Sequence, residues 1–212
     1  MGAKNLTPLV QLGHIGSAMI KVSLSVQSCR LNHTFFKMPS RLPSVGQAVR
    51  INKELNEGIY FLTFTVKRWY YLFDRHNRWD ILLDSLRYCQ KNKGLEIYNW
   101  VFMLNHIHLI AKSGDMIGFV RDFKTFTSKE LKKNILTTEP NILKLFEENG
   151  RYQFWQKTNM PELIVNEEFY IAKANYVEQN PVRKSYVRES EDWVYSSANK
   201  DERLLELDSI YE

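Results

Sequence analysis

The sequence predicts an α+β domain of ferredoxin-like, split βαβ plan, with an antiparallel sheet and an appended C-terminal helix that carries a tyrosine. Three observations predict it. A β-branched and aromatic run at residues 59–66 precedes a stretch with apolar residues at three- and four-residue spacing. Two further extended runs, 95–104 and 106–112, have almost nothing between them, and a second helical pattern leads on to another short extended segment. The resulting order is strand, helix, strand, strand, helix, strand, and then one more helix.

Each element has a local cause. Residues 59–66, Ile-Tyr-Phe-Leu-Thr-Phe-Thr-Val, combine high β propensity with nearly continuous apolar character, as a buried central strand requires. Trp79, Leu82, Leu83, Leu86 and Cys89 then recur at helical spacing, and Gly94 provides the stop. The chain between 95–104 and 106–112 is too short for a crossover, so these runs must pair as an antiparallel hairpin. After Ser113-Gly114-Asp115, the residues Ile117, Val120, Phe123, Phe126 and Leu131 mark a second helix, with Phe123 and Phe126 assigned to the core. Residues 135–151 read as a loop, or as a short helix at 142–146, and 152–155 and 163–165 as extended. A third helix covers 167–179 and ends at Asn180-Pro181, because proline disfavours helical geometry in the residue before it.

The chain has 212 residues, 44% of them apolar and 25% charged, which is enough for one well-packed domain. That composition excludes a fibrous or wholly disordered chain. No apolar run approaches the roughly 18 to 20 residues of a membrane-spanning helix, so no membrane is expected as a partner. Cys29 and Cys89 are too few for a disulfide scaffold or a four-ligand zinc site, which fits a reducing, cytoplasmic setting. Residues 1–54 lack a sustained period and read as an irregular arm, in which nothing before Met38 looks necessary to a fold. Residues 55–198 form the domain, and 199–212 an acidic tail. The net charge of +5 is unevenly spread, since the stretch beyond Arg188 holds eight acids and two bases. The body is therefore basic, which suits a polyanionic partner without establishing one.

Two constellations carry chemistry. In His106-Ile107-His108, strand alternation sends both imidazoles to one face and Ile107 to the other. Neutral imidazoles side by side make half of a divalent-metal site, and a metal there polarises a phosphoryl oxygen; the same pair also fits a solvated strand face. In Tyr176-Val177-Glu178-Gln179-Asn180-Pro181, helical spacing puts Tyr176 and Asn180 on one face. A phenol can serve as a covalent nucleophile and a carboxamide oxygen can join a metal's shell, although Tyr176 taken alone reads as an aromatic packed on the sheet. Glu178 points away from Tyr176 and is not assigned as a base.

Together these features resemble a known family. The ferredoxin-like order, Asn105-His106-Ile107-His108-Leu109, the Tyr-x-x-x-Asn-Pro helix end and the closing Asp192-Trp193-Val194-Tyr195-Ser196-Ser197 resemble the single-tyrosine transposases of the IS200/IS605 type. The helix end and the Trp-x-Tyr-Ser-Ser segment are similar to the branch of REP-associated tyrosine transposases. The resemblance spans about residues 55–198 and has no counterpart for the arm. It implies that Tyr176 is the nucleophile, with Tyr170 as the fallback, and that His106, His108 and Asn180 hold a Mg²⁺ or Mn²⁺ ion. It further implies nicking and strand transfer on single-stranded or hairpin DNA through a 5′-phosphotyrosine, by a monomer or a homodimer.

DNA must also be held. Lys124, Lys157, Arg183 and Lys184 are the candidate phosphate contacts, and Trp155 or Phe154 the candidate base-stacking surface. Three other readings are open: a domesticated protein that binds DNA hairpins without cleaving them, a ferredoxin-like RNA-binding domain, and a replication-initiator or relaxase type of nuclease. Trp193 to Ser197 is read as a packing element without chemistry.

Overall fold

The computed structural model describes residues 44–210, so the readings of residues 1–43, including Cys29 and the stretch before Met38, lie outside the described residues. Strand β1 (Tyr60–Thr65) is followed by helix α1 (Arg78–Lys93), then by β2 (Glu96–Phe102) and β3 (His106–Lys112). Helix α2 (Met116–Thr138) leads through a 3-10 turn at Pro140–Leu145 to a small ribbon of β4 (Glu147–Glu148) and β5 (Arg151–Tyr152). Next come β6 (Glu162–Leu163), α3 (Glu167–Glu178) and a single turn, α4 (Asn180–Arg183). The main sheet is antiparallel in the order β2-β3-β1-β6, which is the arrangement expected of the ferredoxin-like plan.

Alternation gives the sheet two buried faces. Tyr60, Leu62 and Phe64 of β1, with Ile107 and Leu109 of β3, pack with Leu82, Leu86, Phe119 and Phe123 of α1 and α2. Phe61, Ile110, Tyr98 and Val101 point the other way and meet Val177 of α3, with Phe169, Tyr170 and Tyr176 partly buried on the same cluster. The sheet is thus covered on both sides, so its central strands are apolar almost throughout.

Helix ends follow local chemistry. Gly94 stops α1 in the left-handed conformation (φ 59°), with its N–H donating to the Cys89 carbonyl. Asp115 caps α2 by accepting from the Gly118 N–H. Helix α2 runs past the expected boundary near residue 134, because Ile135 is buried and Pro140 sits just beyond the end. Its buried face is Met116, Phe119, Phe123, Thr127, Leu131 and Ile135; Phe126, expected in the core, is 47% exposed because it falls on the opposite side of that stripe.

One buried charge fastens α1 to the end of α2. The Arg78 side chain is fully buried and donates to Asn134 Oδ1, the Leu72 carbonyl, Thr138 Oγ1 and Glu139 Oε2. Replacing it strands several acceptors at once and leaves a void. Arg78→Met is therefore expected to lower folding stability by about 3 kcal/mol, read from the urea midpoint at unchanged slope.

The C-terminal stretch closes the outer edge of β2. Phe102 N donates to the Tyr195 carbonyl, Ser197 N to the Trp100 carbonyl, Trp100 N to Ser197 Oγ and the Trp193 indole to the Phe102 carbonyl. Farther on, Asp208 exchanges hydrogen bonds with Ile97, and Leu205 is buried against the core. At the other end Ala48 bridges to Glu162, and Val49 and Ile51 pack on the core.

Candidate active site

The antiparallel register of β1 with β3 sets Thr63 opposite His108 and Thr65 opposite His106, all on the α3 face. Both imidazoles are buried, at 7% exposure for His106 and 4% for His108, and their ring centres lie 4.9 Å apart. Each Nδ1 has a partner: Asn105 Oδ1 at 2.7 Å for His106, and Thr63 Oγ1 at 2.9 Å for His108. Asn105 spends its amide protons on the Trp69 carbonyl, so its Oδ1 is the acceptor and His106 Nδ1 carries the hydrogen. That leaves the lone pair of His106 on Nε2, the nitrogen on the side of the Asn180 side chain. Burial, together with the charge of Lys184, pushes the His106 imidazole down to about 4, and burial beside His106 holds His108 well below the ordinary value. Both rings are neutral at pH 7, the state in which imidazole ligates metals.

Helix α3 crosses the sheet over this pair. Asn166 caps its start by accepting from the Phe169 N–H, and the helix gives way at Gln179 to the turn of α4. Pro181 occupies the first positions of that turn, where its missing N–H has no partner to lose. The consequence is that Asn180 is turned into the protein, 4% exposed, with its carboxamide beside His106. Tyr176 lies half-buried next to it. Its ring is edge-on to His108 at 5.2 Å and to Phe61 at 5.9 Å, and Phe61 in turn stacks on His108 at 5.3 Å.

Among the buried side-chain atoms that lack any hydrogen-bond partner are His108 Nε2 and Asn180 Oδ1. Two polar atoms stranded in the interior cost free energy unless a partner meets them, and with its hydrogen on Nδ1 the His108 ring would present a second lone pair beside the Asn180 oxygen. Among the described residues no three His, Cys, Asp or Glu side chains form a metal-sized group, so any ion here would take two imidazoles and a carboxamide oxygen. That donor set fits a borderline divalent ion.

The remaining expectations fare unevenly. Arg183 is exposed and its guanidinium lies 5.3 Å above the Tyr176 ring; Lys184 is exposed close enough to act on His106; Lys157 is exposed as well. Lys124 is committed internally instead: its ammonium donates to the Gln156 and Lys157 carbonyls, and burial pushes it down to about 8. Trp155 is a correction. It is buried at 6% exposure, stacks among Phe64, Phe73 and Phe123, and gives its indole N–H to Thr127, so it offers no face to a base; Phe154 is buried too. The fallback Tyr170 donates its hydroxyl to Asn99 Oδ1 at 2.8 Å, and burial raises its pKa, with Glu178 adding to the shift. Glu178 accepts from the same Asn99 and faces away from Tyr176.

Three further residues line the site: Lys173, which helical spacing already sets beside Tyr176, and Thr63 and Trp69, which the sequence reading missed. Lys173 reaches over the Phe61 ring at 4.3 Å and pairs with Glu162 at 2.7 Å, close to both Tyr176 and His108. Its signal was present, because it precedes Tyr176 by three residues on α3. Thr63 follows from the β1–β3 register alone. Trp69, whose ring lies 5.9 Å from His106, belongs to the basic and aromatic run Lys67-Arg68-Trp69-Tyr70-Tyr71.

No protein-family model and no curated protein sequence matches the chain. Solved structures do match. The REP-associated tyrosine transposase bound to a REP hairpin aligns with a TM-score of 0.54 and 20% identity over 74% of this chain and 86% of that one. A Deinococcus radiodurans protein described as a transposase aligns at a TM-score of 0.39 and 18% identity, over 62% of this chain and 96% of that one. The first of these shares the fold of the present chain.

Proposed function

We propose that the protein is a tyrosine-dependent transposase that nicks and rejoins single-stranded DNA carrying hairpins. The observation that carries the reading is the pair of buried polar atoms without a partner, His108 Nε2 and Asn180 Oδ1, beside a half-buried phenol. Likeness of fold to a hairpin-bound transposase supports it. His106, His108 and Asn180 would hold a Mg²⁺ or Mn²⁺ ion, which when bound supplies Lewis-acid polarisation of a phosphodiester oxygen.

The chain's own groups do the rest. Asn105 holds the His106 ring with its hydrogen on Nδ1, and Thr63 orients the His108 ring through Nδ1, so that in each ring Nε2 is the nitrogen left for a ligand. Arg183 and Lys184 draw the phosphodiester towards the helix end. The Tyr176 oxygen attacks phosphorus and the bond to the 3′ oxygen breaks; the phenolic proton leaves to solvent, and the departing oxygen takes one up. The product is a 5′-phosphotyrosine and a free 3′-hydroxyl. The ester conserves the energy of the broken bond, so attack by a 3′-hydroxyl reverses the step and joins strands without nucleotide hydrolysis. Nucleophile and imidazoles belong to one chain, which gives each copy a full set of reacting groups.

Hairpin DNA with single-stranded flanks, incubated with the protein and Mn²⁺, is expected to yield a species that survives denaturing electrophoresis as a protein–DNA adduct and disappears when a chelator is present from the start. Tight binding of the hairpin with no adduct under any divalent metal would identify a non-cleaving binder instead.

A further inference from the structure

The loop after β1 displays an aromatic ring that the chemistry above does not use. Trp69 is 58% exposed, whereas Trp100 and Trp155 are buried and Trp79 and Trp193 are partly covered. A single exposed ring is unremarkable on a protein surface. This one is held out by its backbone. Arg68 (φ 59°) and Trp69 (φ 56°) are consecutive non-glycine residues in the left-handed region, a pairing that side-chain sterics disfavour.

Hydrogen bonds on both sides impose that conformation. Val66 N donates to the Asn105 carbonyl at 2.8 Å, Lys67 N to the Phe154 carbonyl at 2.7 Å and Trp69 N to the Val66 carbonyl at 3.1 Å. The Asn105 carboxamide then closes the loop, donating to the Trp69 carbonyl at 2.7 Å while it accepts from His106 Nδ1. One side chain therefore positions both the imidazole and the indole. The two rings meet edge-to-face at 5.9 Å and 70°, so His106 touches the indole without stacking over it. Exposed Arg68 precedes the ring, and Tyr71, half exposed, follows two residues later.

We infer that Trp69 is a stacking platform for one unpaired nucleobase, next to the phosphodiester that His106, His108 and Tyr176 engage, with Arg68 contacting an adjacent phosphate. Every base offers a π-face, so this contact selects for unstacked, single-stranded DNA more than for a given letter. It also supplies the aromatic surface that buried Trp155 does not. The inference rests on the reading of the site as one that processes single-stranded DNA.

The test uses the full chain, a fluorescein-labelled DNA hairpin with single-stranded flanks, and a set of the same hairpin with one abasic position moved along each flank. By anisotropy at fixed salt, Trp69→Ala is expected to weaken binding about tenfold, while Trp69→Phe stays within about threefold. In the wild-type protein one abasic position should cost about tenfold, and Trp69→Ala should no longer sense it. In addition, 2-aminopurine at that position should be quenched on binding to wild-type protein, a reading that needs no variant. An abasic profile unchanged in Trp69→Ala, or no position where loss of the base matters in wild type, overturns the inference. If the hairpin binds and forms its tyrosine-dependent adduct in that case, only the platform falls; if the wild-type protein binds no hairpin, the proposed function falls with it.

Discussion

Tyr176→Phe is expected to abolish the covalent protein–DNA adduct, a loss of at least about a thousandfold in the rate of nicking end-labelled hairpin DNA. The substitution removes one oxygen and leaves the packing alone, because the ring contacts with His108 at 5.2 Å and Phe61 at 5.9 Å involve carbon edges and faces that phenylalanine keeps. Stability and hairpin binding should therefore be nearly unchanged, which separates a missing nucleophile from a misfolded protein. Tyr170→Phe is the internal control. Its hydroxyl is engaged with Asn99 and its burial disfavours the phenolate, so this variant should lose about 1 kcal/mol of stability and still form the adduct. Undiminished adduct in Tyr176→Phe would move the nucleophile elsewhere and undo the proposed chemistry.

The second large effect concerns the metal rather than the bond broken. Mn²⁺ at a hundred times its dissociation constant should stabilise the wild-type fold by about 2.7 kcal/mol through linkage, seen as a rise in melting temperature that a chelator reverses. His108→Ala is expected to lose that response and to weaken Mn²⁺ binding more than about a hundredfold in calorimetric titration. The reason is geometric. His108 sits between Thr63, Phe61 and Tyr176, and with its Nε2 removed the Asn180 oxygen has no second fixed donor of that strand beyond His106. Equal stabilisation of wild type and His108→Ala by Mn²⁺ would place the ion at some other site.

Much of this fold was legible in the residues themselves. The hairpin of β2 and β3 followed from the near-absence of chain between the two extended runs, and the placing of both histidines on one face followed from strict alternation along β3, in keeping with the register with β1. The ends of α1 and α3 were signalled by Gly94 and by Asn180-Pro181. The convergence of Asn180 and Tyr176 on the histidines was not readable from spacing, since no local pattern states which face of the sheet a distant helix covers; family resemblance supplied it. Trp155 and Lys124 show the limit from the other side. Both sit near basic residues, which suggested contact with DNA, but the groups that bury them, Thr127 for the indole and the 156–157 carbonyls for the ammonium, lie some thirty residues away in sequence. Phe126 was misplaced for a simpler reason: one helical stripe can be drawn through Phe119 and Phe123 or through Phe123 and Phe126, and only the packing against Phe64 chooses the first.

The strap of chain from Trp193 to Ser197 has a bearing on how copies of this protein can meet. Uncovered outer strands invite a neighbour to add its own strand, which is how sheets extend between molecules and begin to aggregate. Here the outward N–H groups of Trp100 and Phe102 already have intramolecular partners, and β6, the strand at the opposite margin, is only two residues long. At the β2 margin, the backbone groups that an added strand would need are therefore already taken up by the chain's own 193–197 segment.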